Sequence, residues 1–185
     1  MSSTARRLLV ATPTLLDPNF FRTVVFMIEH TPEAALGVVL NRVSDATLDD
    51  AVPEWCGLAA EPRVAFVGGP VQPHEAVIAL GLGRGELQSA DGWYPLLEAV
   101  GTVDLGRSPR DVHPPVEAIR VFAGYAAWGP GQLDGELSVD GWYVVDADPD
   151  DLLTPDPDTL WRRVLRRQGG ELAMAANYPI DPGTN

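Results

Sequence analysis

Residues 121–137 read VFAGYAAWGPGQLDGEL, an apolar run that enters three closely spaced glycines and leaves through a short polar segment. Gly129-x-Gly131-x-x-x-Gly135 approaches the dinucleotide fingerprint, in which a tight turn joins a strand to a phosphate-binding helix. Three features oppose that reading. Residues Tyr125 to Trp128 separate the run from the first glycine. Any helix must fit between Gly131 and Asp140, too short for a crossover between parallel strands. Pro130 removes one of the backbone N–H groups that a phosphate nest would use. The glycines are therefore expected to let Tyr125, Trp128 and the chain pack closely. A short helix over Gly131 to Leu137 would place Gln132 and Glu136 one turn apart on one face, and Leu133 and Leu137 on the next.

Strand-like segments flank this stretch on both sides. RTVVFMI (Arg22 to Ile28) is β-branched and aromatic with a continuous apolar centre, as expected of a strand covered on both faces. HTPEA supplies a turn, and LGVVL (Leu36 to Leu40) reads as the hairpin partner. Leu8 to Ala11, RVAFV, AVIAL, Tyr94 to Val103, Ile119 to Ala123 and Trp142 to Asp146 are further strands, and GGPVQPHE is a loop between two of them. SDATLDDAV predicts a short helix capped by Ser44 or Asp45 and ended by Pro53. In PDPDTLWRRVLRRQGG, Asp156 can cap, Pro157 suits the first helical position and Gly169 can end the helix. Leu160, Trp161, Val164 and Leu165 share its apolar face, and Arg162, Arg163, Arg166 and Arg167 its charged one. GELQSADGWY and GELSVDGWY lie about fifty residues apart, but their flanks do not match. Asp-Gly before an aromatic strand is a recurrent turn solution, so no duplication is inferred.

Composition limits the chemistry. The 185 residues carry 13 arginines, no lysine and 26 acids, a formal net charge of −13. Without lysine there is no Schiff base, no lysine general base and no P-loop. Without the four arginines of the last helix, nine basic residues face 26 acids, a balance of −17 that repels a phosphate backbone. With one cysteine, Cys56, no internal disulfide forms, and no apolar run reaches the length of a membrane span. No G-x-S-x-G elbow is present, and the histidines have no metal-ligand spacing. Acid pairs such as Asp49-Asp50 and Asp150-Asp151 read as solvated surface, with a preference for helix starts as a second role. These features predict a cytoplasmic chain without zinc, NAD(P) or ATP, and without direct contact to nucleic acid or membrane.

The segment GYAAW-GPGQLDGEL resembles the YqgE/AlgH family of bacterial proteins, with Ala127 where glycine is usual. LLVATPTLLDPNFFRTVVFMIEH is similar to the family's opening, and ALGVVLNR to its second strand, ending in Asn41 and Arg42. FVGGPVQ resembles its central loop and LWRRVLRRQGGELAMAANYP its C-terminal helix region. PHEAVIALG departs from the Arg-Gly-Phe-Val-Leu-His type run of many members. The resemblance implies a single compact α+β domain over residues 1–185. Its curved mixed or antiparallel, barrel-like sheet would be flanked by short helices and a C-terminal amphipathic helix. It implies no reaction, and the transcriptional-regulator label of some members identifies no DNA-binding element.

The expected function is a non-enzymatic binding or regulatory protein, acting through a protein or small-molecule partner. The alternatives are an enzyme of unrecognised class with a pocket near the matched loops, and a direct DNA-binding regulator. Arg22, His30, Asn41, Arg42, Gln132 and Glu136 are the candidate ligand- or partner-binding residues. Each is a polar group within an apolar matched segment, where burial would demand a partner. For His30 a structural hydrogen bond is the favoured role.

Overall fold

The computed structural model describes residues 3–49, 51–84 and 88–179. Eleven strands among them form two sheets: β1 (Arg7–Ala11), β2 (Val24–His30), β3 (Ala35–Val39), β4 (Val43–Thr47), β5 (Val64–Val67), β6 (Val77–Gly83), β7 (Trp93–Leu97), β8 (Val100–Val103), β9 (Val116–Ala123), β10 (Ala126–Trp128) and β11 (Trp142–Asp146). The first sheet has the antiparallel order β10-β3-β2-β1-β11. The second has the order β4-β5-β9-β6-β8-β7, with β5 and β9 parallel. The helices are α1 (Gln132–Ser138), α2 (Pro149–Leu152), α3 (Leu160–Gln168) and α4 (Gly170–Ala175). The architecture is α+β as expected, with the strands shared between two open sheets rather than closed into a barrel.

The continuous apolar runs follow from burial on both faces. In β1 and β2, Leu8, Val10, Val24 and Phe26 point into a core shared with Phe66, Leu80 and Phe122 of the second sheet. Their neighbours Leu9, Ala11, Val25 and Met27 point the other way, into a core with Trp128, Leu133 and Trp142. A third cluster around Trp55, Trp93 and Ile119 covers the far face of the second sheet. Strand periodicity of two sorts each run between the layers. Helix α3 adds Leu160, Trp161, Val164 and Leu165 to the inter-sheet core, and its Trp161 indole donates to the carbonyl of Ala11 at 2.8 Å.

Several local expectations need correction. Val43–Thr47 is an edge strand paired with β5, not a helix. The segment has too few apolar positions at helical spacing to offset the cost of a helix nucleus. Ser44 instead donates to the carbonyl of Ala65. Tyr94 to Val103 is a hairpin, β7 and β8, turning at Glu98, whose φ is +47°. Helix α3 begins at Leu160, after Thr159, although Gly169 does end it. Asp151 is not solvated: it is 2 % exposed, sits in the capping box of α2, and pairs in bidentate fashion with Arg167 at 2.6 and 3.1 Å. That hydrogen bond holds the Arg167 guanidinium above its ordinary range. The two DGWY segments lead into different sheets and different cores, in line with independent turns.

The glycine expectation is also revised. A Cβ on Gly131 or Gly135 would meet nothing within 4 Å, and Gly131 is needed for its φ of +67° at the start of α1. The close approach occurs elsewhere. A Cβ on Gly69 would lie 2.2 Å from the carbonyl carbon of Tyr125, and one on Gly68 2.3 Å from the oxygen of Gly124. At Gly124 the chain leaves β9 of one sheet and enters β10 of the other, so these contacts clamp the corner that joins the sheets. Beneath the second sheet Arg120 is 2 % exposed, donates to the carbonyls of Glu61 and Thr154, and stacks 4.2 Å over Phe66. Burial pushes its guanidinium down to about 10, so it is buried as a cation at neutral pH.

Candidate functional site

Helix α1 lies across the end of the first sheet because Leu133 and Leu137 pack into the core behind β10 and β11. That packing leaves Gln132 and Glu136 on the adjacent face, over Trp128 and Trp142. Both indoles donate to Glu136 Oε2, at 3.0 and 2.9 Å. Gln132 Nε2 donates to Glu136 Oε1 at 3.2 Å, and Gln132 Oε1 accepts the backbone N–H of Gly129. Phe20 completes an aromatic triangle, 6.0 Å from Trp128 and 5.3 Å from Trp142. One carboxylate is thus oriented by three donors beside three aromatic rings, with a lone pair on Oε1 still open.

This cluster floors a groove of about 480 Å³, lined also by Asp17, Asn19, Pro70 and Ala127. Asn19 and Pro70 are shared with a further cavity of about 280 Å³, in which Arg42 stands beside Val67, Gly69 and Pro73. The two adjoin at these residues between the 12–23 loop, the 68–73 loop and α1, with a carboxylate in one and a guanidinium in the other. Arg42 is half-buried, and its Nη2 donates to the carbonyls of Pro18 and Phe21. Burial depresses the Arg42 guanidinium, and nearby Asp17 works against that shift.

Gln132 and Glu136 line the groove, Arg42 lines the adjoining cavity, and the other three candidates line neither. Asn41 holds up the wall: its amide accepts from Val24 N–H at 2.9 Å and donates to the carbonyl of Arg22 at 2.9 Å. Arg22, at φ +54°, turns toward the C-terminal segment, where it donates to the carbonyls of Tyr178 and Pro179 and lies 4.6 Å over the Trp161 ring. Desolvation, and next Arg162, depress its guanidinium. His30 lies at the far end of β2, where its Nδ1 meets the N–H and hydroxyl of Thr4 at 3.1 and 2.9 Å, a structural hydrogen bond as anticipated. Asp17, Asn19, Phe20 and Trp142 were not foreseen as site residues. The polar pair Asp17-Asn19 ahead of Phe20 was the one local signal that could have marked them. Among the described residues, no cluster of three or more His, Cys, Asp or Glu side chains could hold a metal ion.

Of the four arginines on α3, Arg163 and Arg167 pair with Asp151 while remaining partly exposed. Cys56, half-buried, lies 3.0 Å from the carbonyl of Pro53 and away from the groove.

The segments that build the groove span most of the chain, and the AlgH-like family model matches residues 8–173. The chain belongs to the AlgH-like family. A UPF0301 protein of Streptomyces coelicolor is 50 % identical over all of this chain and 97 % of its own length. A Mycolicibacterium smegmatis UPF0301 protein is 40 % identical over 96 % of the chain and 89 % of its own. Among solved structures, a Corynebacterium diphtheriae protein superposes with a TM-score of 0.87 at 32 % identity, covering 94 % of this chain and 92 % of the other. The solution structure of AlgH from Pseudomonas aeruginosa does so with a TM-score of 0.71 at 26 % identity, covering 96 % and 95 %. The AlgH-like core thus includes the corner at Gly124 and helix α1, the elements that position Glu136.

In this AlgH-like chain the grip on Glu136 is also structural. Glu136→Ala orphans two indole N–H groups and is expected to cost about 2–3 kcal/mol, because bonds to a charged acceptor are the stronger kind. Gln132→Ala, at an exposed position, is expected to cost less than about 1 kcal/mol. Urea denaturation of the two variants measures both, and equal losses would contradict this division of roles.

Proposed function

We propose that this protein is a non-enzymatic cytoplasmic binding protein, whose regulatory role follows from occupation of the groove between the 12–23 loop, the 68–73 loop and α1. The observation that carries the reading is the convergence of Trp128, Trp142 and Phe20 around the oriented carboxylate of Glu136, with Arg42 in the adjoining cavity. A concave apolar surface with a few fixed polar groups is the usual form of a ligand site. Among the described residues, the groove lining contains no Ser, Thr, Cys or His to serve as a nucleophile or as an imidazole base. Binding accounts for this set of residues better than covalent catalysis does. Direct binding to duplex DNA is disfavoured by the acidic balance, the more so with Arg163 and Arg167 engaged by Asp151.

The test is NMR of the ¹⁵N-labelled protein against fractionated extract of the native cell. A ligand fraction is expected to shift the Trp128 and Trp142 indole signals, and Arg42→Ala or Glu136→Gln to weaken that response at least tenfold. Turnover of an extract component, abolished by Asp17→Asn, would replace the binding reading with an enzymatic one. A submicromolar, sequence-selective affinity for duplex DNA at physiological salt would replace it with a DNA-binding one.

A further inference from the structure

The outer edge of β10 faces the groove, and its hydrogen-bonding phase can be fixed from both sides. Val39 N–H bonds the carbonyl of Gly68, so Val39, Gly37 and Ala35 direct their backbone groups away from β2. Gly37 and Ala35 are the register partners of Ala126 and Trp128, which makes those two the hydrogen-bonded pairs of β10 with β3. On the other side, Tyr125 exchanges both backbone bonds with Val71. Backbone groups alternate in direction along a strand, so Ala127 points the same way as Tyr125. Both arguments direct the N–H and C=O of Ala127 away from β3 and toward the groove that Ala127 lines. Outside the ladder of β10 with β3, neither group has a backbone partner among the described residues. Val71 makes a single bridge: continuing the antiparallel ladder would set Gly69 opposite Ala127, and no such pair forms among the described residues.

We infer that the groove receives an extended peptide segment, which adds to the edge of β10 by exchanging two backbone hydrogen bonds with Ala127 and sets a basic side chain against Glu136. This rests on the binding reading above and names its ligand class. Strand addition at a free edge draws affinity from main-chain bonds and specificity from side-chain pockets. Charge complementarity selects the side chain. Glu136 and Asp17 are the acids lining this part of the groove, and Glu136 keeps an open lone pair beside Trp128, Trp142 and Phe20. A guanidinium entering there bonds the carboxylate while its plane lies on an aromatic ring. In the adjoining cavity, Arg42 is placed to meet a carbonyl or carboxylate of the same segment.

The probe is a set of acetylated, amidated pentapeptides with arginine fixed at the third position and Val, Thr or Ala elsewhere, titrated into the ¹⁵N-labelled full chain. The Ala127 amide and both indole signals are expected to shift together and saturably, with slowed solvent exchange at Ala127. N-methylation of the peptide amide that faces Ala127 is expected to weaken binding at least tenfold. Replacing the arginine by citrulline should cost at least fivefold in the wild type, and little in Glu136→Gln. If N-methylguanidine shifts the indoles as strongly as the peptides do while the Ala127 amide stays still, the groove is a small-cation site. The peptide inference then falls and the binding reading stands. If extract fractions shift groove signals but no peptide does, the inference falls in the same way. If neither peptides nor extract fractions move any groove signal, both readings fall.

Discussion

Trp128→Ala is expected to lower the free energy of unfolding by about 3–5 kcal/mol, the range for truncating a buried large aromatic. Trp128 is 3 % exposed and packs against both Phe20 and Trp142 in the core behind α1. Its loss opens a cavity on the core side and removes one of the two indoles that hold Glu136. The paired measurement is Trp128→Phe, which fills much of the volume and deletes the N–H donor. It is expected to cost roughly half as much in urea denaturation, and the remaining Trp142 indole signal should move as Glu136 reorients. A Trp128→Ala protein within 1 kcal/mol of wild type would show that the aromatic triangle is a surface feature and not part of the core.

Gly69→Ala is expected to be at least as damaging, about 4 kcal/mol or more, with much of the protein insoluble on expression. The new methyl would sit within 2.4 Å of three backbone atoms of Tyr125 and Ala126, none of which can rotate away as a side-chain tip can. Overpacking against side chains usually costs 1–3 kcal/mol, and a clash between backbones at the corner joining two sheets exceeds that range. Gly57→Ala is the matched control, since a Cβ there meets nothing within 4 Å. Thermal unfolding of the two variants checks the contrast. Similar midpoints would mean that the 68–73 loop is not clamped to Gly124, and the groove wall it forms would then be mobile.

These two residues illustrate what could be read in advance. Trp128 was legible as core because its segment is apolar and strand-like, and such positions are buried under almost any arrangement of the sheets. Gly69 was not. The sequence contains eighteen glycines, and nothing local distinguishes one against another backbone from one in open space. The expectation accordingly placed the close packing at Gly129, Gly131 and Gly135, where the structure has room to spare. Asp151 failed similarly. An Asp-Asp pair at a helix start looks solvated until Arg167, sixteen residues on, is folded back onto it.

Among the candidate site residues, Gln132 and Glu136 were legible as a pair because helical spacing alone sets them one turn apart. That Glu136 would accept from two indoles, six residues ahead and eight behind, required the turn from β10 through α1 into β11. Arg42 lines the adjoining cavity only because the 12–23 and 68–73 loops close over it from distant parts of the chain. His30 and Arg22, from equally apolar segments, are turned to structural partners instead.

By itself the sequence determined most of the core strands, the amphipathic C-terminal helix, the α+β class, the family, and the absence of lysine chemistry. All of these depend on local periodicity, composition or ordered motifs. The tertiary structure alone decided that the strands divide into two sheets joined at Gly124, that Asp151 and Arg120 are buried, and that Ala127 presents an unpaired backbone edge to a carboxylate-bearing groove. Each of these depends on which distant backbone lies alongside, and side-chain order along a single chain does not encode that pairing locally.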